Sequence, residues 1–282
     1  MRLDQNWFSE VSDEDGYALS LKYDKRLHNE QTAFQKIEVY ETTNFGKLMV
    51  IDGFVMLSQR DNFIYHEMMV HPALYSHNNP ERIAIIGGGD CGSLREVLKH
   101  DCVKTAMQID IDERVTRIAE IYFPELCESN DDPRAELKFI DGVKWMQAQP
   151  DNSLDVIIVD STDPVGPGEV LFSKSFYRSC AQALRGDGLI IQQSESPLLH
   201  NESIIQPMKK RMTSAGFNEI NTLFFPQPVY PSGWWSATLA GKKSISFSRA
   251  EDCKNNLIST NYYNSDIHRA AFAAPEFMKA TS

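Results

Sequence analysis

The segment Arg82–Val97, with the sequence RIAIIGGGDCGSLREV, decides the fold of this chain. It passes from an apolar run rich in β-branched residues, through three glycines, into a helical pattern. The segment therefore predicts a strand, a tight turn and a helix. Such a unit is typical of the start of a nucleotide-binding α/β domain.

The glycine loop resembles a dinucleotide site in spacing but not in charge. Gly87, Gly89 and Gly92 satisfy the G-x-G-x-x-G pattern, and Asp110 follows Gly92 by 18 residues. Asp90 argues against a dinucleotide, because a carboxylate inside the loop repels a pyrophosphate at short range. The same carboxylate attracts a cation, which favours a nucleoside carrying a sulfonium or an ammonium on its 5′ side. The alternative is a turn that binds nothing.

Length and composition limit the possible functions. The chain has 282 residues, 42% of them hydrophobic, which is enough for one large domain or two smaller domains. A formal charge of −11 disfavours nucleic acid and anionic membranes as partners and favours cations. The sequence contains no signal-peptide pattern and no run near the roughly 20 apolar residues of a membrane span. We therefore expect a cytoplasmic protein.

The cysteines and histidines do not indicate a metal site. The five cysteines are widely spaced and include no CxxC pair, so we expect free thiols. His66 and His71 have no partner at metal-ligand spacing. We expect no metal.

A small antiparallel sheet is predicted before the α/β domain. Residues 34–40 alternate between apolar and polar side chains, and residues 48–51 connect to 54–57 through Asp52-Gly53, a strong hairpin signal. A helix should follow from Asn62 until Pro72 stops or kinks it.

Strands and helices alternate from residue 82, which predicts a mostly parallel sheet covered on both faces. Asp90, Asp110, Asp141 and Asp160 each follow one of four successive predicted strands. Each aspartate alone has a simpler explanation as a helix cap or turn residue. Ligands bind beyond the carboxyl ends of such strands, so four aspartates there predict one shared crevice. The proline- and glycine-rich loop at 164–168 is either a lid over this crevice or a plain surface loop.

Five motifs together resemble the spermidine synthases, or polyamine aminopropyltransferases, across nearly the whole chain. They are Tyr65–Met68, Gly87–Asp90, Asp141-Gly142, the segment 160–167 (DSTDPVGP) and Tyr230–Gly233. The resemblance implies an antiparallel β domain at 1–61 and a methyltransferase-like Rossmann catalytic domain at 62–282. It also implies transfer of the aminopropyl group of decarboxylated S-adenosylmethionine to putrescine, which gives spermidine and methylthioadenosine.

The resemblance further implies a role for each site residue. Asp160 is the expected catalytic base. Asp110 is expected to hold the donor's ribose, Asp141 its adenine, and Gln35 with Asp90 its aminopropyl end. The full expected donor set is Gln35, Gly87, Gly89, Asp90, Asp110, Asp141 and Gly142. The expected acceptor set is Tyr65, His66, Asp163, Gln193, Glu195 and Tyr230. We expect no cofactor, because the sulfonium already activates the leaving group, and a homodimer or homotetramer.

Three departures from the family pattern stand out. Asp110 replaces a usual glutamate, Cys91 a frequent glycine, and Met56 a residue that is commonly polar or acidic. Because Cys91 follows the glycine turn near a helix N-terminus, we expect a lowered thiol pKa and a reactive side chain. The alternative is a small side chain that is buried and inert.

Other functions stay open at this point. Cadaverine or agmatine is an alternative acceptor. The glycine loop and acidic strand ends also fit a methyltransferase, although Asp90 beside the carboxylate of its methyl donor is unfavourable. A polyamine-binding protein without activity needs no base at Asp160.

Overall fold

The computed structural model describes residues 3–162, 166–246, 249, 252 and 258–279. Asp163, expected at the acceptor site, lies outside the described residues. The strands are β1 (Trp7–Ser12), β2 (Tyr17–Gln31), β3 (Lys36–Thr42), β4 (Gly46–Ile51), β5 (Phe54–Ser58), β6 (Arg82–Gly87), β7 (Thr105–Asp110), β8 (Ala135–Phe139), β9 (Leu154–Asp160), β10 (Leu184–Gln193), β11 (Glu219–Pro226) and β12 (Trp234–Gly241). The helices are α1 (Asn62–Ser76), α2 (Gly92–Leu98), α3 (Glu113–Tyr122), α4 (Gly142–Gln147), α5 (Lys174–Ala183), α6 (Gln206–Ala215), α7 (Ser265–Ala271) and α8 (Glu276–Lys279). None of the described helices is both long and apolar enough to cross a membrane.

The first sheet contains β1 to β5 in chain order, all antiparallel, as predicted. The hairpin between β4 and β5 turns at Asp52 and Gly53, which have φ values of 51° and 90°. Two positive φ angles match the right-handed twist of the strands, which explains why this dipeptide predicted the hairpin correctly. The predicted division of the chain between residues 61 and 62 stays a prediction.

The alternation along β3 separates two cores. Ile37 and Val39 pack with Val115 and Ile118 of α3, whereas Tyr40 faces the opposite side of the sheet. Both faces of the small sheet are therefore covered, and one of them rests on the second sheet's helical layer. This packing places the loop between β2 and β3 beside the carboxyl end of β7.

The second sheet has the order β11-β12-β10-β9-β6-β7-β8. Strands β6 to β10 are parallel, and β12 is antiparallel to both β10 and β11. The strand order reverses between β6 and β9, and such a reversal opens a crevice at the carboxyl ends of the two strands. The predicted α/β class is correct, and the crevice is where the four aspartates lie.

Pro72 does not stop the helix predicted to begin at Asn62, because α1 continues through it to Ser76. A kink at Pro72, the other predicted outcome, stays a prediction. Residues on both sides of the proline, including Met69 and Ala73, are fully buried, and this packing offsets the roughly 3 kcal/mol cost of an internal proline. Strand β10 begins at Leu184, and a bulge shifts its register against β9 between Leu184 and Leu189.

A buried ionic cluster joins α1 to α2. The carboxylate of Glu96 lies 3.1 Å from Nε2 of His71, 2.7 Å from Nζ of Lys99 and 2.9 Å from a guanidinium nitrogen of Arg95. Nδ1 of His71 is 2.9 Å from Nε2 of His100. Burial alone would raise the pKa of Glu96, but the hydrogen bond and charge of His71, with those of Lys99, lower it to about 2. The cluster fixes the two helices that carry the site residues.

We expect Glu96→Gln to lower the free energy of unfolding at pH 7 by about 3 kcal/mol, since it removes the buried carboxylate that pairs with Arg95 and Lys99 and whose pKa is lowered from 4.5 to about 2. Because the folded-state pKa lies below the ordinary 4.5, the carboxylate stabilises the fold above that pH and loses its effect as the pH falls toward 2. Urea unfolding at several pH values measures this. The deficit should be constant from pH 7 to 5 and narrow below. Glu81→Gln, which removes an exposed partner of Lys104, should have little effect; equal effects of both variants would contradict the prediction.

Candidate active site

A cavity of about 390 Å³ lies at the carboxyl ends of the central strands. Each residue expected to hold the donor lines this cavity, together with the expected base and two expected acceptor residues: Gln35, Gly87, Gly89, Asp90, Asp110, Asp141, Gly142, Asp160, Tyr65 and Tyr230. The predicted convergence of four aspartates on one crevice is therefore correct.

The glycine loop approaches its neighbours too closely for side chains. Gly87 has a φ of +86°, and a Cβ there would lie 2.1 Å from the carbonyl oxygen of Asp160. A Cβ on Gly92 would lie 2.2 Å from the ring of His66. The glycines thus allow the loop to touch β9 on one side and α1 on the other.

Asp90 is paired with His66 at the floor of the cavity. Nε2 of His66 lies 3.3 Å from both carboxylate oxygens of Asp90, and Oδ1 also accepts a 2.7 Å hydrogen bond from the Gly92 amide. Burial opposes ionisation of both groups, but their mutual attraction lowers the pKa of Asp90 and raises that of His66. Asp90 is therefore held as a carboxylate inside the loop.

Asp160 is held by two hydroxyl groups. Tyr65 donates a 2.7 Å hydrogen bond to Oδ1, and Ser93 donates a 2.6 Å hydrogen bond to Oδ2. Burial, followed by the negative charge of Asp90, raises the pKa of Asp160 although both hydroxyls oppose the shift. Ser93 was not predicted; its place in the first turn of α2, beside the glycines, was the available signal.

The remaining two aspartates differ in environment. Burial raises the pKa of Asp110 to about 6, against the hydrogen bond that Oδ1 accepts from the Asp112 amide at 2.8 Å. Asp141 caps α4 by accepting hydrogen bonds from the amides of Val143 and Lys144, and these hydrogen bonds lower its pKa. Asp141 thus combines the capping role and a position in the crevice.

Gln35 reaches the cavity from the first sheet because Asp112 holds it. Asp112 Oδ2 accepts hydrogen bonds from Gln35 Nε2 at 3.1 Å and from Thr32 Oγ1 at 2.7 Å. Asp112 also caps α3 through the Arg114 amide. The sequence reasoning missed Asp112, although its position before a helical pattern marked it as a cap.

A second, smaller cavity of about 40 Å³ adjoins the first. Both cavities are lined by Met56, Tyr65, Ser161, Thr162 and Tyr230. The smaller one is also lined by Glu10, Phe54, Val55, Gln193, Pro231 and Trp235. Its position beside Asp160, and its aromatic walls, suit the alkyl chain of a small amine.

Glu10 is an acidic residue of this second cavity that the sequence reasoning missed. It lies on β1, is 6% exposed, and accepts a 2.7 Å hydrogen bond from the Val55 amide. Its recruitment depends on how the first sheet docks onto the second, and no local pattern in β1 records that docking. Tyr230 also connects the α/β part of the chain to the first sheet, because its hydroxyl donates to the carbonyl of Met56 on β5.

Two predicted acceptor residues, His66 and Glu195, line neither cavity but contact residues that do. His66 is 1% exposed and contacts Asp90. Glu195 is also 1% exposed, and its Oε1 accepts a 3.1 Å hydrogen bond from Nε2 of Gln193, which does line the cavity. Their roles toward the acceptor stay predictions.

The lowered thiol pKa predicted for Cys91 agrees with the structure, but the thiol is buried. The residue is 0% exposed and has a left-handed φ of 69°, a conformation that explains why a glycine is frequent here. A hydrogen bond with Cys127 lowers its thiol pKa against the effect of burial. Cys91, Cys102, Cys127 and Cys180 are free thiols as expected, whereas Cys253 lies outside the described residues.

Fold and site together define a methyltransferase-like Rossmann enzyme with an added antiparallel sheet. The spermidine synthase tetramerisation domain matches residues 6–59, and the spermine/spermidine synthase domain matches residues 62–249. The chain belongs to the spermine/spermidine synthase family, and its function is that of a polyamine aminopropyltransferase.

Relatives and solved structures agree with this family. The chain is 63% identical over 273 residues to the polyamine aminopropyltransferase of Methylococcus capsulatus, covering 97% of this chain and 95% of the relative. It is 60% identical over 280 residues to that of Thioalkalivibrio sulfidiphilus, covering 99% and 98%. A spermidine synthase in complex with the transition state analogue AdoDATO superposes with a TM-score of 0.93 at 34% identity, covering 99% of this chain and 96% of the other.

Among the residues that the structure describes, no three or more histidine, cysteine, aspartate or glutamate side chains are grouped to hold a metal ion.

We expect Cys91 in the folded enzyme to resist iodoacetamide, because alkylation needs an accessible thiolate. Peptide mass mapping should find Cys102, which is partly exposed, labelled before Cys91, and Cys91 labelled only after unfolding. Rapid labelling of Cys91 in the native enzyme would instead support the reactivity expected from the sequence.

Proposed function

We propose that this enzyme transfers the aminopropyl group of decarboxylated S-adenosylmethionine to putrescine, giving spermidine and methylthioadenosine. The observation that carries the proposal is the placement of buried, ionised Asp90 on the cavity wall next to Asp160. Decarboxylated donor presents an ammonium and a sulfonium and no carboxylate, so its charges oppose those of the wall.

The same charge separates this proposal from methyl transfer. S-adenosylmethionine carries a carboxylate on the side chain that would lie beside Asp90. Two buried negative charges in one site repel each other strongly in a medium of low dielectric constant. The Asp90–His66 pair therefore favours a donor that lacks this carboxylate, as in aminopropyl transfer.

We propose that Asp110 binds the donor's ribose hydroxyls, Asp141 its adenine amino group, and Gln35 with Asp90 its aminopropyl end. Gly87, Gly89 and Gly142 line the same cavity and leave room for the nucleoside. Asp110 with a pKa near 6 is ionised at neutral pH, as a hydroxyl-accepting carboxylate must be.

The reaction is a displacement at the carbon next to the sulfonium. The acceptor ammonium first gives a proton to Asp160, which frees the nitrogen lone pair. The nitrogen then attacks that carbon, the carbon–sulfur bond breaks, and methylthioadenosine leaves with the bonding electrons, so that the product nitrogen is a secondary ammonium. A primary amine ordinarily titrates near ~10.4 and an aspartate near ~3.9, so the raised pKa of Asp160 narrows the mismatch.

The acceptor enters the smaller cavity. Aromatic residues there, including Tyr65 and Trp235, cover an alkyl chain, and Glu10 supplies a negative charge for the distant ammonium. We propose that Tyr230, Gln193 and Asp163 also hold the diamine. His66 would act through its contact with Asp90, and Glu195 through its hydrogen bond with Gln193. Product identification decides between putrescine, the acceptor implied by the family, and the longer cadaverine or agmatine.

We propose that the enzyme needs no cofactor, because the positive sulfur already makes a good leaving group. We also propose a cytoplasmic homo-oligomer, dimeric or tetrameric, on the basis of the tetramerisation domain matched by residues 6–59.

The direct experiment supplies decarboxylated S-adenosylmethionine with putrescine, cadaverine or agmatine, and identifies products by mass. Spermidine and methylthioadenosine from putrescine at the highest kcat/KM are expected. Asp160→Asn should abolish turnover while leaving donor binding nearly intact, because the nucleoside contacts lie elsewhere. Methylated product from S-adenosylmethionine, or equal loss of binding and turnover in the variant, would refute the assignment.

Asp90→Asn tests the charge argument separately. Removing a charge-assisted hydrogen bond costs roughly 1.5 to 3 kcal/mol, which corresponds to roughly 10- to 150-fold weaker binding of the decarboxylated donor. Methylthioadenosine lacks the ammonium, so calorimetry should show a much smaller change for it. Equal weakening of both ligands would mean that Asp90 acts through the loop's shape rather than its charge.

A further inference from the structure

We infer that His200 is a positioning residue for the acceptor amine. It does not line the smaller cavity, but its imidazole links two segments that do. The inference rests on the proposed function, since it concerns the acceptor site. Nε2 of His200 lies 3.4 Å from Oδ2 of Asp15, and Nδ1 lies 3.7 Å from Oε2 of Glu195. The imidazole therefore stands between carboxylates from two distant parts of the chain.

The contact of His200 with Glu195 leads to the cavity through Gln193. Gln193 Nε2 donates to Glu195 Oε1 at 3.1 Å, and the Glu195 amide donates to Gln193 Oε1 at 3.2 Å. Gln193 lines the cavity. Glu195 has a φ of +68°, a conformation that costs a non-glycine residue roughly 1 kcal/mol or more. The surrounding contacts must therefore hold Glu195 in place.

The contact of His200 with Asp15 leads to the cavity through β1. Asp15 lies in the turn that follows β1, where it accepts a 2.8 Å hydrogen bond from Ser12. The same strand carries Glu10, which lines the cavity and accepts a hydrogen bond from Val55, another lining residue. Contacts thus run from Gln193 on one wall, through His200, to the strand of Glu10 on the other wall.

The backbone around His200 is itself anchored to the site. The His200 amide donates to the carbonyl of Ser196 at 2.8 Å, and the hydroxyl of Ser196 lies 2.7 Å from that of Ser232. Ser232 follows Tyr230 and Pro231, which line the cavity. His200 is therefore fixed relative to the acceptor site and is not a stray surface side chain; its own side chain is 14% exposed.

The position of His200 between Asp15 and Glu195 has a chemical reason. The imidazole stands between two carboxylates that repel each other, and its Nε2 is hydrogen-bonded to Oδ2 of Asp15. Without it, Glu195 loses a partner, Gln193 loses a fixed anchor, and the turn after β1 is released. The cavity should then hold a short diamine less tightly and discriminate less against a longer one.

The test is steady-state kinetics of His200→Ala. We expect the KM for putrescine to rise about tenfold while kcat and the KM for the donor change less than about threefold. The kcat/KM ratio of cadaverine to putrescine should rise. Asp15→Asn should shift the same quantities in the same direction, and His200→Gln, which keeps a side-chain donor, should recover part of the loss. His28→Ala is the matched control, because His28 contacts Glu30 on the first sheet and lines neither cavity.

Each outcome has a distinct meaning. An unchanged putrescine KM in His200→Ala, or a parallel loss in kcat and both KM values, would overturn the positioning role. Should His200→Ala fail to fold, Asp15→Asn and His200→Gln decide the matter by the same split between KM and kcat. Absence of aminopropyl transfer in the wild type would overturn the proposed function, whereas normal wild-type turnover with an unaffected variant overturns the present inference alone.

Discussion

The structure depends on keeping four aspartates together at one edge of a buried sheet. The pKa of Asp110 rises from 3.8 to about 6, so its ionised form at neutral pH costs the fold on the order of 3 kcal/mol. Pairing with His66 stabilises the ionised form of Asp90, and hydrogen bonds from Tyr65 and Ser93 do the same for Asp160. A positive charge placed among these carboxylates would lower their pKa values and reduce this cost.

This constraint explains why α1 and α2 are so firmly fixed. Helix α1 carries Tyr65 and His66, and α2 begins directly after Asp90 and carries Ser93. The cluster around Glu96 joins the two helices from behind, and Glu67 accepts hydrogen bonds from the amides of residues 261–263. Charged groups of the crevice can then stay at fixed distances despite their mutual repulsion, which is the preorganisation that a displacement reaction needs.

Sequence reasoning predicted the parts that local chemistry determines. Glycines at the loop, aspartates after strands and the Asp52-Gly53 hairpin each carry their own signal. Glu10, Asp112 and His200 were missed because their positions depend on docking between segments far apart in sequence. Pro72 does not end the helix, since tertiary packing overrode the local preference for stopping a helix at proline.

The most direct measurement is the number of protons released when decarboxylated S-adenosylmethionine binds at pH 6, by calorimetry in two buffers of different ionisation enthalpy. The donor's amine stays protonated at this pH and its sulfonium is permanent, so any proton comes from the enzyme. Because a cation lowers the pKa of Asp110, Asp160 and His66, the account predicts net proton release. Binding without proton exchange, or with net uptake, would show that the crevice's charges are not what the ligand neutralises.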